Sequence, residues 1–208
     1  MLITKKFIFN PFYENTYIVY DDITKEAALI DPGCYEDYEQ KELEDFIGKN
    51  QLHIKYLINT HCHIDHIFGN TFVKGKYNPQ YYASYDDIFL LDIMIQQSKI
   101  YGTPLKPSPK PDIYITEKET ITLGNIVGKF IFTPGHSPGG YCLYFPNEKI
   151  IFTGDTLFKG SIGRTDLWGG DYDTLINSIK EKLLTLPDDT KIYPGHETDS
   201  TIGEEKKK

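Results

Sequence analysis

At 208 residues the chain is long enough to bury a substantial core, and its 39% hydrophobic and 25% charged residues suit an ordinary globular protein. A net charge of −8 argues against nucleic acid as a partner, because phosphates call for a basic footprint. No apolar run approaches membrane-spanning length, and the start MLITKKFIFNPFYENTY lacks a long apolar stretch and a cleavage site, so a cytoplasmic protein without a membrane partner is expected.

In chain order, LITKKFIFN, NTYIVYDD and EAALIDPG read as short strands separated by turn residues. YEDYEQKELEDFIGKN predicts a helix with Leu43, Phe46 and Ile47 on one face and Gly48 near its end. IKYLINT is a strand, DHIFGNTFVKGKYN a helix and PQYYAS a further strand. DDIFLLDIMIQQSKIYG has the spacing of a buried helix, with Ile88, Leu91, Met94 and Ile95 aligned. The four prolines of TPLKPSPKPD exclude regular structure there. That connector divides one expected domain, 1–208, into two halves of about 1–105 and 111–208.

The second half is strand-rich: DIYIT, ETITL, IVGKFIFTPG, GGYCLYFP and KIIFTGDTLF. A helix follows in DYDTLINSIKEKLLTL, with Leu175, Ile176, Ile179 and Leu183 in one stripe, then a strand in KIYPGH and a solvated tail, EEKKK. Strands with interspersed helices, twice over, suggest a layered α/β arrangement. Cys34, Cys62 and Cys142 form no CxxC pair and are odd in number, so three free thiols are expected.

Half of the chain's 6 histidines fall in THCHIDH, where a strand runs into His61, His63, Asp65 and His66. Other apolar strands run into His136, Asp155 and His196, each behind a glycine that permits a tight turn. Strand ends hold side chains more precisely than loops alone. Imidazoles and carboxylates are good ligands for Zn²⁺, Mn²⁺ or Fe²⁺, and this set exceeds the four that one structural site takes. It can supply two ions, which is a hydrolase's equipment.

THCHIDH, with the downstream histidine, aspartate and histidine in order, closely resembles the signature of the metallo-β-lactamase fold. Within it, TPGHSPGG, FTGDTLFKGSIGRTD and YPGHE look like the compact bacterial members of the glyoxalase II (hydroxyacylglutathione hydrolase) branch. The resemblance implies an αββα four-layer sandwich with a site at one sheet edge. It implies two divalent metal ions, Zn²⁺ first with iron or manganese as alternatives. One would be held by His61, His63 and His136, the other by Asp65, His66 and His196, with Asp155 between them.

By the same resemblance, a metal-bridging hydroxide is the nucleophile, with Asp65 orienting it, and it attacks a small-molecule thioester such as S-lactoylglutathione or another acyl-thiol. Asp31, in LIDPG, would steady the metal loop; an ordinary turn aspartate reads equally well there. Arg164, in IGRTD, falls where the branch carries a basic residue that contacts the substrate; a structural ion pair with Asp166 or Asp171 is the competing reading. Asp166 stands where longer members carry a tyrosine, and an acid there would repel a carboxylate arm of a substrate. Cys62 reads as a packed bystander between two ligands, His53 as a surface residue, and Trp168 as local packing, with a wall of the substrate cleft as its other reading. A mononuclear-iron persulfide dioxygenase is the alternative function, and a phosphodiesterase comes after it.

Overall fold

The computed structural model describes residues 1–103 and 105–208. Among them, one sheet comprises β1 (Leu2–Phe9), β2 (Glu14–Asp21), β3 (Glu26–Ile30), β4 (His53–Ile58), β5 (Gln80–Ala83) and β6 (Ile113–Tyr114), adjacent in that order. The chain then runs through β7 (Thr120–Leu123), β8 (Ile126–Phe132), β9 (Tyr141–Phe145) and β10 (Ile150–Gly154). A small hairpin, β11 (Leu157–Phe158) and β12 (Ser161–Ile162), precedes β13 (Lys191–Pro194) and β14 (Ser200–Thr201). The second sheet has the order β14-β13-β10-β9-β8-β7.

Period-two alternation builds the layers. Tyr17, Val19, Ala28, Ile30, Tyr56 and Ile58 of the first sheet pack against Ile121, Phe130, Leu143, Phe145 and Phe152 of the second. Their alternating neighbours Ile18, Leu29 and Leu57 face outward, under the helices α1 (Asp37–Lys49), α3 (Asn70–Tyr77) and α4 (Ile88–Ile100); the short α2 (Ile64–Ile67) lies at the end of β4. On the far side Cys142, Ile151 and Ile192 pack under α5 (Tyr172–Ser178), a following π-turn and α6 (Ile202–Glu205). The result is the helix–sheet–sheet–helix sandwich that the sequence resemblance implies. With both faces covered, every residue of β2 is buried. No helix among the described residues is long and apolar enough to cross a membrane.

Several local expectations change. DIYIT, read as part of the strand-rich second half, places β6 in the first sheet, parallel to β5. The helix expected over DHIFGNTFVKGKYN is two short ones, parted where Gly69 N–H donates to the Pro32 carbonyl at 2.7 Å. In α4 the buried face is Leu90, Leu91, Met94, Gln97 and Ser98, with Ile88 and Ile95 half-buried, so polar residues complete the stripe. Ile176 is likewise half-buried beside fully packed Leu175, Ile179 and Leu183. The tail is not wholly solvated: Glu205 is buried and accepts hydrogen bonds from Gly160 N–H and Lys208.

Candidate metal centre

The strand ends converge as their sequence suggests. Beyond β4, Asn59 Nδ2 donates to the His66 carbonyl at 3.0 Å and closes the loop that carries His61 and His63 into α2. Asp65 and His66 sit on that first helical turn, where the exposed N–H groups favour a carboxylate. His136 follows β8, Asp155 follows β10 directly, and His196 follows β13. Gly195 has no Cβ to spare: one would lie 2.2 Å from Asp155 Oδ1.

Gly135, next to His136, has φ +132°, and a Cβ there would lie 2.3 Å from the Leu175 backbone. Gly135→Ala is therefore expected to cost about 2–4 kcal/mol, read as a melting temperature lower by on the order of 10 °C. An unchanged melting temperature would mean that the turn relaxes freely.

Two trios form. Ligand-capable atoms of His61, His63 and His136 lie within 4.8 Å of one another, and so do those of Asp65, His66 and His196. His136 Nε2 is 2.8 Å from His63 Nδ1 and 3.2 Å from His61 Nε2. Asp155 stands between the trios, with Oδ1 3.4 Å from His66 Nε2 and Oδ2 3.5 Å from both His136 Nε2 and His196 Nε2. Asp65 Oδ2 is 3.1 Å from His196 Nε2. Asp31, His61 and His66 meet the same spacing, but both Asp31 oxygens are already occupied by Thr60 N–H at 2.7 Å and Thr60 Oγ–H at 2.6 Å.

Tautomers follow from the partners. His136 Nδ1 lies 2.7 Å from the Arg164 carbonyl, which can only accept, so its Nε2 carries the lone pair. Thr60 Oγ gives its proton to Asp31 and can accept one from His61 Nδ1 at 3.1 Å, which frees His61 Nε2. Burial, reinforced by neighbouring imidazoles, keeps His61 far below the ordinary histidine range and holds His63 down at about 3, so both stay neutral.

In the second trio burial works against charge but is overcome. Asp65 and Asp155 push the His66 pKa well up, while His66 holds both carboxylates below their usual values. A proton on His66 thus stands where positive charge is wanted. Both His66 nitrogens, His63 Nε2 and Asp155 Oδ1 are buried without a hydrogen-bond partner. The neutral imidazoles of His61 and His63, the ionised carboxylates of Asp65 and Asp155 and the buried atoms left unsatisfied fit divalent cations as the missing partners.

The trios open into a cleft of about 430 Å³ with an aromatic and aliphatic wall that includes Phe12, Tyr101, Phe158, Leu167 and Trp168. Of the two readings of Trp168, the cleft wall is the one the structure supports: it lines this cleft and is 43% exposed. Arg164 also lines it, yet its guanidinium makes a two-pronged pair with Asp166 at 2.7 and 2.8 Å rather than with Asp171. Asp171 caps α5 instead. Cys62 is packed in the core, all three thiols are free and buried, and His53 is exposed.

Some supporting residues escaped the sequence. Asn15, on β2, donates through Nδ2 to the carbonyls of Pro194 and Glu197, both at 2.9 Å, and so flanks His196 on each side. Tyr17 hydroxyl also donates to the Pro194 carbonyl, at 2.7 Å. Asn10 Nδ2 holds the Asp65 carbonyl at 3.0 Å. Glu14 is fully buried 3.9 Å from His66 Nδ1, and burial drives its pKa well up. The polar run Glu14-Asn15-Thr16, opening a strand whose middle is apolar and aromatic, was the available signal.

A family profile described as the metallo-beta-lactamase superfamily matches residues 9–196. The hydroxyacylglutathione hydrolase GloC of Haemophilus influenzae is 37% identical over 198 residues, which cover 94% of this chain and 91% of that protein. BLEG-1, a B3 metallo-beta-lactamase of known structure, superposes with a TM-score of 0.89 at 34% identity over 99% of this chain and 97% of its own. TTHA1623, solved in a di-iron-bound form, gives a TM-score of 0.86 at 30% identity, covering 97% of this chain and 96% of that one.

Proposed function

The chain belongs to the metallo-beta-lactamase superfamily, whose members bind divalent metals and are mostly hydrolytic enzymes, and from that premise we propose that it is a thioester hydrolase of the glyoxalase II type. Its substrate on this reading is S-lactoylglutathione or another acyl-thiol. The observation that carries the proposal is the pair of trios meeting at Asp155 on the floor of a cleft with an aromatic and aliphatic wall. The likeness to GloC over nearly the whole chain supports the thioester class.

In this reading His61, His63 and His136 would hold one divalent ion and Asp65, His66 and His196 a second, with Asp155 within reach of both trios. Zn²⁺ suits the nitrogen-rich trio, and the di-iron neighbour keeps iron in play. When bound, such ions polarise a carbonyl oxygen and make water acidic enough to act as a nucleophile near neutral pH. The chain's own residues position and exclude. Asp65 Oδ2, kept ionised, can accept a hydrogen bond from the attacking water and aim it. The Arg164 carbonyl fixes the His136 ring, Thr60, itself held by Asp31, positions the His61 ring, and Asp31 Oδ2 faces His66 Nδ1 at 3.2 Å. Phe158, Leu167 and Trp168 offer the acyl-thiol an apolar wall and displace water. A thiolate leaves readily, with a pKa of about 8.5 for a simple thiol, so no side-chain acid is demanded.

The test is a substrate panel on protein reconstituted with zinc, manganese or iron. Thioester cleavage above that of β-lactams and phosphodiesters is expected. No thioesterase activity in any metal form would contradict the proposal, and oxygen uptake on glutathione persulfide would replace it with a dioxygenase.

The Arg164–Asp166 pair bears on selectivity. The hydrogen bond from Arg164 holds Asp166 down at about 2, so the two charges neutralise each other at the cleft mouth. Asp166→Asn is expected to raise kcat/KM for the carboxylate-bearing S-lactoylglutathione about 2- to 5-fold relative to an uncharged acyl-thiol, a modest gain because the pair is exposed. An unchanged ratio would remove Arg164 from substrate recognition.

A further inference from the structure

Asp87 ends the 3₁₀ turn Tyr85–Asp87 that leads from β5 into α4, and it is completely buried. Its carboxylate accepts hydrogen bonds from two segments remote from it in sequence. Oδ2 accepts from Cys62 N–H at 3.0 Å and from Ser137 Oγ–H at 2.9 Å, while Oδ1 accepts from Gly139 N–H at 2.7 Å. Cys62 lies between His61 and His63; Ser137 directly follows His136. The carboxylate therefore sits behind the histidine trio and grips both pieces of backbone that supply it.

We infer that Asp87 is a positioning residue for the His61–His63–His136 trio, a buried carboxylate that sets the spacing between the strand end bearing two of the histidines and the turn bearing the third. The inference rests on the proposed reading of that trio as a metal site. Two further observations support it. A Cβ on Gly139 would lie 2.7 Å from Asp87 Cγ, so the turn is pressed against the carboxylate with no room for a side chain. A separate bond, Tyr141 N–H to the Thr60 carbonyl at 2.8 Å, ties the same two segments on their other flank, so Asp87 supplies the second point that stops them pivoting.

Only an acceptor on both oxygens satisfies the three donors. The amide of an asparagine would turn its NH₂ toward either Gly139 N–H or the Cys62–Ser137 pair, leaving a buried donor without a partner. Residues that orient metal-ligating histidines from behind typically change metal affinity about 10- to 100-fold when replaced.

The experiment is a chelator titration of fully metal-loaded protein, read by elemental analysis, with melting temperatures measured alongside on the wild type and three variants. Asp87→Asn is expected to release metal at about 10- to 100-fold lower chelator concentration than the wild type. Ser137→Ala, which removes one donor and leaves no orphan, is expected to shift release about 2- to 10-fold in the same direction. Asp112→Asn removes a carboxylate that accepts from Tyr81 N–H at 2.8 Å, away from the trios, and serves as the control for general destabilisation. It should lower the melting temperature without moving the release point. Folded Asp87→Asn and Ser137→Ala variants that hold metal within twofold of the wild type would overturn the inference. A shift matched by Asp112→Asn at equal loss of melting temperature would overturn it too, since the role would then be general stability. A wild type that binds no metal would instead remove the metal reading itself, and this inference with it.

Discussion

Asp155→Ala is expected to lower kcat/KM for the best thioester by about 10³-fold or more and to leave the protein short of metal. Asp155 is the carboxylate that reaches both trios, and its Oδ1 is buried without a hydrogen-bond partner. Taking it away removes a donor atom from each proposed ion and deprives His66, whose charged form it stabilises, of a counter-charge. Asp155→Asn keeps the shape but not the charge, and a loss nearly as large is expected. Activity within about tenfold of the wild type would rule out the bridging role. Steady-state kinetics and metal content on the same preparation check both halves of the expectation.

Asp31→Ala is expected to cost about 2–4 kcal/mol of stability and to weaken metal retention about 10- to 100-fold. Asp31 has φ +48°, a left-handed conformation that an aspartate tolerates better than most residues. Its Oδ1 accepts from Thr60 N–H and its Oδ2 from Thr60 Oγ–H, and Oδ2 also lies 3.2 Å from His66 Nδ1. Alanine would orphan a buried N–H one residue before His61 and free the His66 ring from behind. Asp31→Asn retains one acceptor and the tolerance of a positive φ, so roughly half the loss in stability is expected. Thermal melts and chelator titration measure the two effects separately; a normal melt with normal metal retention would reduce Asp31 to an ordinary turn residue.

What could be read from the sequence divides by range of interaction. Histidines and aspartates at strand ends were visible because each is locally marked, by a run of apolar residues before it and a glycine at the turn, or by the tight THCHIDH spacing. A layered α/β arrangement was legible from strands with interspersed helices, and the four-layer sandwich only through the family resemblance; the structure builds it by alternation, as in Tyr17-Ile18-Val19, where successive side chains feed different layers. Residues that hold the site together were not legible. Asn15 reaches Pro194 across 179 positions and Asp87 reaches Ser137 across 50; polar residues opening a strand mark Asn15 at most as unusual, and no local pattern shows which distant partner either one meets.

Errors in the helices have a similar origin. Periodicity in DDIFLLDIMIQQ favoured Ile88 and Ile95, yet the helix turns Gln97 and Ser98 inward, with Ser98 bonded to the Ile95 carbonyl. Trp168 kept two readings in the sequence because the cleft it lines exists only once α4 and the loop after β12 are both in place. DIYIT lies after the prolines but pairs before the sheet changes, since the register Tyr82–Ile113 continues the first sheet by one more strand.

The most direct measurement of the central claim is metal stoichiometry on the purified protein, taken together with thioester turnover by the same sample. A two-metal thioester hydrolase gives close to two divalent ions per chain and activity that rises in step with the second ion, without oxygen consumption. One iron per chain, with oxygen uptake on a persulfide and no thioester turnover, would contradict it.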